Sequence, residues 1–173
     1  MSRRTETTAM LSRLVERRCA SRHRFSAPEV TLEDSDTGKP VRVDFMGFDP
    51  YLCNSPYPNP SSVSLGRFTC YEVKSCWADL TSGHGLNILG DENFLVTTNE
   101  VADRLVKGEM PLLRRHLDGV LTPRGNSLCV SRKCKCFGRS ERYRHSNDEL
   151  LLALLIAQTH HAPIKEHIGK ETK

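Results

Sequence analysis

Glu72-Val73-Lys74 ends the β-prone run Arg67-Phe68-Thr69-Cys70-Tyr71, and Asp44 closes an earlier β-prone run beginning at Val41. A strand projects residues i and i+2 to the same face, so Glu72 and Lys74 must point together wherever residues 68–74 are extended. That puts an acid and an amine in one pocket. If the Val41-Arg42-Val43-Asp44-Phe45 segment pairs alongside, the Asp44 carboxylate can join Glu72 in holding a hard divalent cation through oxygen ligands. A cation between two carboxylates with a lysine beside it suits hydrolysis of a phosphodiester.

A blander reading makes Glu72 and Lys74 a strand-surface ion pair worth ~0–1 kcal/mol. The neighbours argue against it. Phe68, Cys70, Tyr71, Val73 and Trp77 surround the motif, and a strand apolar on both faces belongs inside a covered sheet. Charges buried there without a task are costly.

At 173 residues and 38% hydrophobic, the chain fits one well-buried domain, expected over residues 1–163, with a flexible tail over 164–173. The longest apolar run, Leu150 to Ala157, is too short to span a bilayer, and the basic N-terminus lacks the apolar stretch of a signal peptide. A soluble, cytoplasmic protein is expected, without a membrane partner. The seven cysteines then read as reduced thiols. Cys129, Cys134 and Cys136 lack the paired spacing of a zinc site and read as strand residues, while His160, His161 and His167 read as the solvated end of the last helix.

Charge is segregated. Residues 1–24 carry a net +5 and residues 114–145 a net +7, whereas residues 25–113 carry −7. An acidic middle flanked by basic blocks suits carboxylates that hold a cation while arginine and lysine bind a phosphate backbone; the same blocks could also be ordinary solvated faces.

Thr5 can cap a first helix running to about Cys19, with Met10, Leu11, Leu14 and Val15 as its apolar stripe. Residues 28–32 and 41–48 read as a hairpin turned at Asp36-Thr37-Gly38. Residues 49–64, with four of the nine prolines, read as a surface loop carrying no core. A third strand follows to Lys74, then a short helix or turn from Trp77 and a buried strand at Asn93–Thr97. Asn99 can cap the next helix, and Pro111 begins a short one ending near His116. A late hairpin spans Gly119–Thr122 and Leu128–Cys136 around a turn at 123–126. Ser146 with Glu149 forms a capping box for a last helix from Asn147 to about His160. The order is that of an α/β protein, a mixed central sheet flanked by helices.

The helix, the strand ending in Asp44, and the strand carrying Glu72-Val73-Lys74-Ser75 before a helix and a buried strand together resemble the PD-(D/E)xK superfamily, the restriction-endonuclease-like nucleases. The stretch Cys70 to Leu80 is similar to small stand-alone phage and bacterial members, including proposed DNA-repair nucleases. The resemblance implies that Asp44 and Glu72 bind Mg²⁺ or Mn²⁺ with the Val73 carbonyl, and that Lys74 positions or deprotonates the attacking water. It implies an added acid from the first helix, Glu6 by its place in the helix and Glu16 second. Two departures stand out: Val43 replaces the eponymous proline, and the amide-bearing residue of some relatives has Asn87 as its nearest equivalent.

The expected activity is a metal-dependent deoxyribonuclease acting on double-stranded or branched DNA. Arg13, Arg17, Arg18, Arg132, Lys133, Lys135, Arg139, Arg142 and Arg144 would contact phosphates, and a homodimer would allow double-strand cutting. The alternative is a catalytically inactive module of the same fold that binds nucleic acid or a protein, for example a phage inhibitor of a host defence system.

Overall fold

A computed structural model of the chain describes residues 3–34, 37–52, 57, 59–83, 85–111, 113–131 and 145–161. The strands are β1 (Phe25–Glu33), β2 (Pro40–Asp49), β3 (Arg67–Lys74), β4 (Glu92–Thr97), β5 (Gly119–Arg124) and β6 (Ser127–Val130). They form one six-stranded mixed sheet whose spatial order equals their order in the chain. β1–β2, β2–β3 and β5–β6 are antiparallel, whereas β3–β4 and β4–β5 are parallel. Parallel neighbours need crossovers. Helix α3 (Trp77–Thr81) lies in the first, and α4 (Asn99–Val106) with α5 (Leu113–His116) in the second.

Helix α1 (Arg3–Arg22) packs Leu11, Leu14, Val15 and Cys19 on one face of the sheet, against Phe45, Tyr71, Val73, Val96 and Leu121. The opposite face has two covers. Helix α6 (Asn147–His161) seats Leu150, Ala153, Leu154 and Ala157 on Val30, Met46, Phe48 and Phe68. Further along, α3, α4 and α5 close over Leu95 and Val120. Every residue of β3 except Arg67 is buried, as its apolar sequence requires of a strand with both faces covered.

The capping box forms: the Ser146 N–H donates to Glu149 Oε2 at 2.7 Å and the Glu149 N–H to Ser146 Oγ at 3.2 Å. The cap of α4 is Thr98, one residue before Asn99, and its side chain accepts the Val101 N–H. Pro111 lies in the turn before α5 rather than inside the helix. The late hairpin turns more tightly than its sequence suggests, at Gly125 with φ +59, while the Cys134 and Cys136 end of the expected strand lies outside the described residues. So does the 164–173 tail.

The Pro-rich segment differs from a loop carrying no core. Residues Pro60–Ser64 form a short helix, α2, with Ser62 1% exposed. The Asn147 amide clamps its end, donating to the carbonyls of Val63 at 2.6 Å and Ser64 at 3.0 Å. Among the described residues no helix is long and apolar enough to cross a membrane.

Candidate active site

β2 and β3 pair from Asp49↔Arg67 to Phe45↔Tyr71 and then part. At the parting, the Asp44 side chain replaces the ladder, its Oδ2 accepting the Val73 N–H at 2.7 Å. Asp44 is also where β2 changes faces, since Val43 and Met46 both enter the core beneath α6 while Phe45 faces α1. Across the hairpin, Glu29 falls where β1–β2 pairing is interrupted and has φ +49, the left-handed region that a glutamate seldom adopts. The two irregularities turn Asp44 out of the sheet's alternation and into a cleft.

Glu72 and Lys74 are 5% and 7% exposed. Their side chains meet at the same point: a Cβ placed on Gly85 would lie 3.2 Å from Lys74 Nζ and 3.8 Å from Glu72 Oε2. Gly85, at φ +62, thus lies over the pair, in a backbone conformation that favours glycine and where an added Cβ would crowd the Lys74 amine. The strand end is fixed from β4, with Thr97 Oγ1 donating to the Lys74 carbonyl at 2.6 Å.

Burial pushes the Glu72 carboxyl up to about 9, and the Asp44 charge adds to the effect; Lys74, the Asn87 N–H and Arg42 oppose it. Asp44 is also raised, first by burial, against the pull of its Val73 bond, Lys74 and Arg42. Glu72 Oε1 is buried with no hydrogen-bond partner among the described residues. Two carboxyls raised by burial, one of them carrying an unsatisfied oxygen, have the chemistry of a cation site. Mg²⁺ takes only one or two protein carboxylates, so Asp44 and Glu72 fit it. Among the described residues no three His, Cys, Asp or Glu side chains gather as a larger ligand set.

An open cleft of about 570 Å³ is lined by Asp44, Val73 and Lys74, and also by Glu16 and Arg42. Glu72 does not line it and lies under Gly85. The α1 stripe Arg4, Thr8, Ser12, Glu16 also lines the cleft, four residues apart and so on one helix face. Of the two first-helix acids it is therefore Glu16 that reaches the site; Glu6 is exposed and outside the cleft. His161 returns to the rim, its Nε2 3.8 Å from Glu29 Oε2, while Glu29 also meets Arg42 at 3.5 Å. No local sequence signal announces that approach, because it depends on how α6 crosses β1.

Asn87 does not line the cleft; its Nδ2 donates to the Arg42 carbonyl at 2.6 Å and its N–H to Glu72, tying the covering segment to β2 and β3. Arg13 and Arg17 are exposed away from the cleft. Arg18 is drawn into the fold, with Nη1 donating to the Leu128 carbonyl at 3.4 Å and its guanidinium 5.9 Å from the centre of the Phe94 ring. Arg132, Lys133, Lys135, Arg139, Arg142 and Arg144 lie outside the described residues.

No family model and no curated protein matches the chain. In structure it is similar to SPO1766, a protein of unknown function from Silicibacter pomeroyi, with a TM-score of 0.53 and 18% identity over 89% of this chain and 85% of that one. A likeness at that identity shows the shared fold alone.

Proposed function

We propose that the chain is a metal-dependent nuclease that hydrolyses DNA phosphodiester bonds. What supports this reading is that Glu72 and Lys74 end β3 side by side under Gly85, while Asp44 reaches across to the Val73 N–H where β2 and β3 part and lines an open cleft with Lys74. Asp44 and Glu72 would hold Mg²⁺ or Mn²⁺, with the Val73 carbonyl as a further oxygen ligand. When bound, such a cation neutralises charge on the phosphoryl oxygens and makes water a better nucleophile. Lys74 would orient the attacking water or take its proton as the new phosphorus–oxygen bond forms and the bond to the leaving oxygen breaks. The choice of DNA follows from the resemblance to PD-(D/E)xK nucleases.

The test is cleavage of plasmid, linear and branched DNA by the full chain with Mg²⁺, with Mn²⁺ and with EDTA, compared with Asp44→Ala and Lys74→Ala. Metal-dependent nicking that both substitutions abolish supports the enzyme. Binding without cleavage, unchanged in both variants, replaces it with a nucleic-acid- or protein-binding module of the same fold.

A further inference from the structure

Helix α6 is apolar at every position from Leu150 to Ala157, yet the sheet covers only one side of it. Leu150, Ala153, Leu154 and Ala157 are buried there, whereas Leu152, Leu155 and Ile156 are 60%, 46% and 49% exposed. A surface helix ordinarily carries polar residues on its outer side, and one that is apolar all round belongs in an interior. Spacings of three and four residues place Asp148, Leu152, Leu155 and Thr159 on one outward stripe, with Ile156 and His160 alongside.

Single exposed leucines are ordinary, but these belong to a patch. Leu155 also lines a cavity of about 290 Å³ together with Phe25, Phe48, Leu52 and Val63, and Phe25 and Leu52 are themselves exposed. That volume exceeds the ~150 Å³ that holds a benzene ring, so an apolar side chain can enter it. Projecting side chains and an apolar recess thus share one face, the self-complementarity that a twofold interface requires. Charge then selects the direction of pairing. Asp148 and Glu149 lie in the first turn of α6, and His160 and His161 in the last. Parallel helices would set like ends together, whereas antiparallel helices set each acidic end against a histidine end and oppose the two helix dipoles.

We propose that two copies of this chain associate through the outer face of α6, the helices running antiparallel about a twofold axis that passes between Leu152 and Leu155. Leu152 of one copy then packs on Leu155 of the other, and Asp148 comes within reach of Thr159 and His160 across the axis. Ile156 extends the apolar contact toward the recess beside Leu155. This association needs no catalytic role for the cleft, so it stands whether or not the chain cleaves DNA.

The test is sedimentation equilibrium of the full chain across a wide range of concentration. A monomer–dimer equilibrium is expected. Leu152→Glu and Ile156→Glu should each weaken the dimer by about 30-fold, the scale of an interface hot spot. Val106→Glu, at an exposed apolar position on α4, should leave it unchanged. Both α6 positions face solvent in the single chain, so circular dichroism of the dilute monomers should match wild type, and lost association is then not lost folding. Asp148→Lys and His160→Glu should each weaken the dimer by about threefold, within the range of exposed ion pairs, and the two together in one chain should restore it. A monomer at every concentration overturns the proposal, whether another protein or residues 162–173 then cover the face. So does a dimer that neither Leu152→Glu nor Ile156→Glu weakens, and failure of the double charge reversal to restore association overturns the antiparallel pairing. Failure of the nuclease reading appears instead in the Asp44→Ala and Lys74→Ala cleavage assay.

Discussion

The Asp44 carboxylate and the Val73 N–H are joined at 2.7 Å across the gap where two antiparallel strands stop pairing. One side chain thereby both finishes the sheet and lines the cleft. Asp44→Asn keeps an oxygen that can accept this bond but loses the charge, whereas Asp44→Ala leaves the Val73 N–H without its acceptor. Cleavage with Mg²⁺ should fall at least about 100-fold in both, the loss expected when a group stabilising charge in the transition state is removed. Only Asp44→Ala should also lose about 1–3 kcal/mol of stability. Urea denaturation beside the cleavage assay separates the two effects, and equal stability of the variants would count against the bond.

Glu72 makes the metal-free protein sensitive to pH. Its carboxyl titrates near 4.5 in the unfolded chain and about 9 in the folded one, so folding takes up a proton between those values. The stabilisation from neutral Glu72 is complete below about 4.5 and drains away as pH rises through about 9. In EDTA, Glu72→Gln should therefore flatten the fall in melting temperature from pH 5 to 9 and stabilise the chain at the alkaline end. Added Mn²⁺ should reverse the order at pH 8, stabilising wild type and leaving Glu72→Gln unmoved, because the ion needs the ionised carboxylate. Parallel pH profiles in EDTA would contradict the assignment.

Gly85 sets the roof over Glu72 and Lys74. Gly85→Ala adds a methyl 3.2 Å from Lys74 Nζ on a backbone at φ +62, combining crowding with conformational strain. The expected cost is about 1 kcal/mol of stability. A larger proportional loss should appear in kcat if Lys74 holds the attacking water as proposed, because the methyl displaces its amine. Gly83→Ala is the control: it shares a positive φ, +74, but its added methyl meets nothing within 4 Å. Equal losses of activity in the two would assign the effect to backbone strain alone.

Behind the site, on the α1 face of β3, Tyr71 Oη meets His23 Nε2 at 2.7 Å while His23 Nδ1 meets Asp49 Oδ2 at 2.7 Å. Burial pushes the Tyr71 hydroxyl up to about 12. Tyr71→Phe strips a buried imidazole nitrogen of its partner and should cost about 1–3 kcal/mol. Activity per folded molecule should persist, because Tyr71 projects away from Glu72 and Lys74. Chemical denaturation and specific activity, measured on one preparation, check both halves.

Where local pattern and tertiary demand agree, the sequence is readable. The apolar filling of β3 announces a central strand, the i, i+2 spacing puts Glu72 and Lys74 together, and Ser146 with Glu149 marks the start of α6. The misses have physical causes. Distance along α1 favours Glu6, but helical phase puts Glu16 on the face shared with Thr8 and Ser12, and the packing of α1 decides which face meets the cleft. Strict alternation would send Val41, Val43 and Phe45 to one side of β2; the change of face at Asp44, opposite a left-handed Glu29, breaks that rule at the proposed metal-binding position. The helical turn at Pro60–Ser64 depends on the distant Asn147 amide, which no local composition reveals.

The sheet's spatial order follows synthesis order, and that has a consequence for how the molecule is assembled. Each strand's bonding neighbour has just been made, so a nascent chain can lay down β1, β2 and β3 and bring the Asp44–Val73 junction together before β4 exists. Only the return of α6 to the first edge, sealed by Gln158 on the Ser26 carbonyl at 3.1 Å, must await synthesis of Asn147–His161. Until then the apolar residues of β1 and β2 stand uncovered, making that interval the one in which a growing polypeptide of this design is most exposed to aggregation.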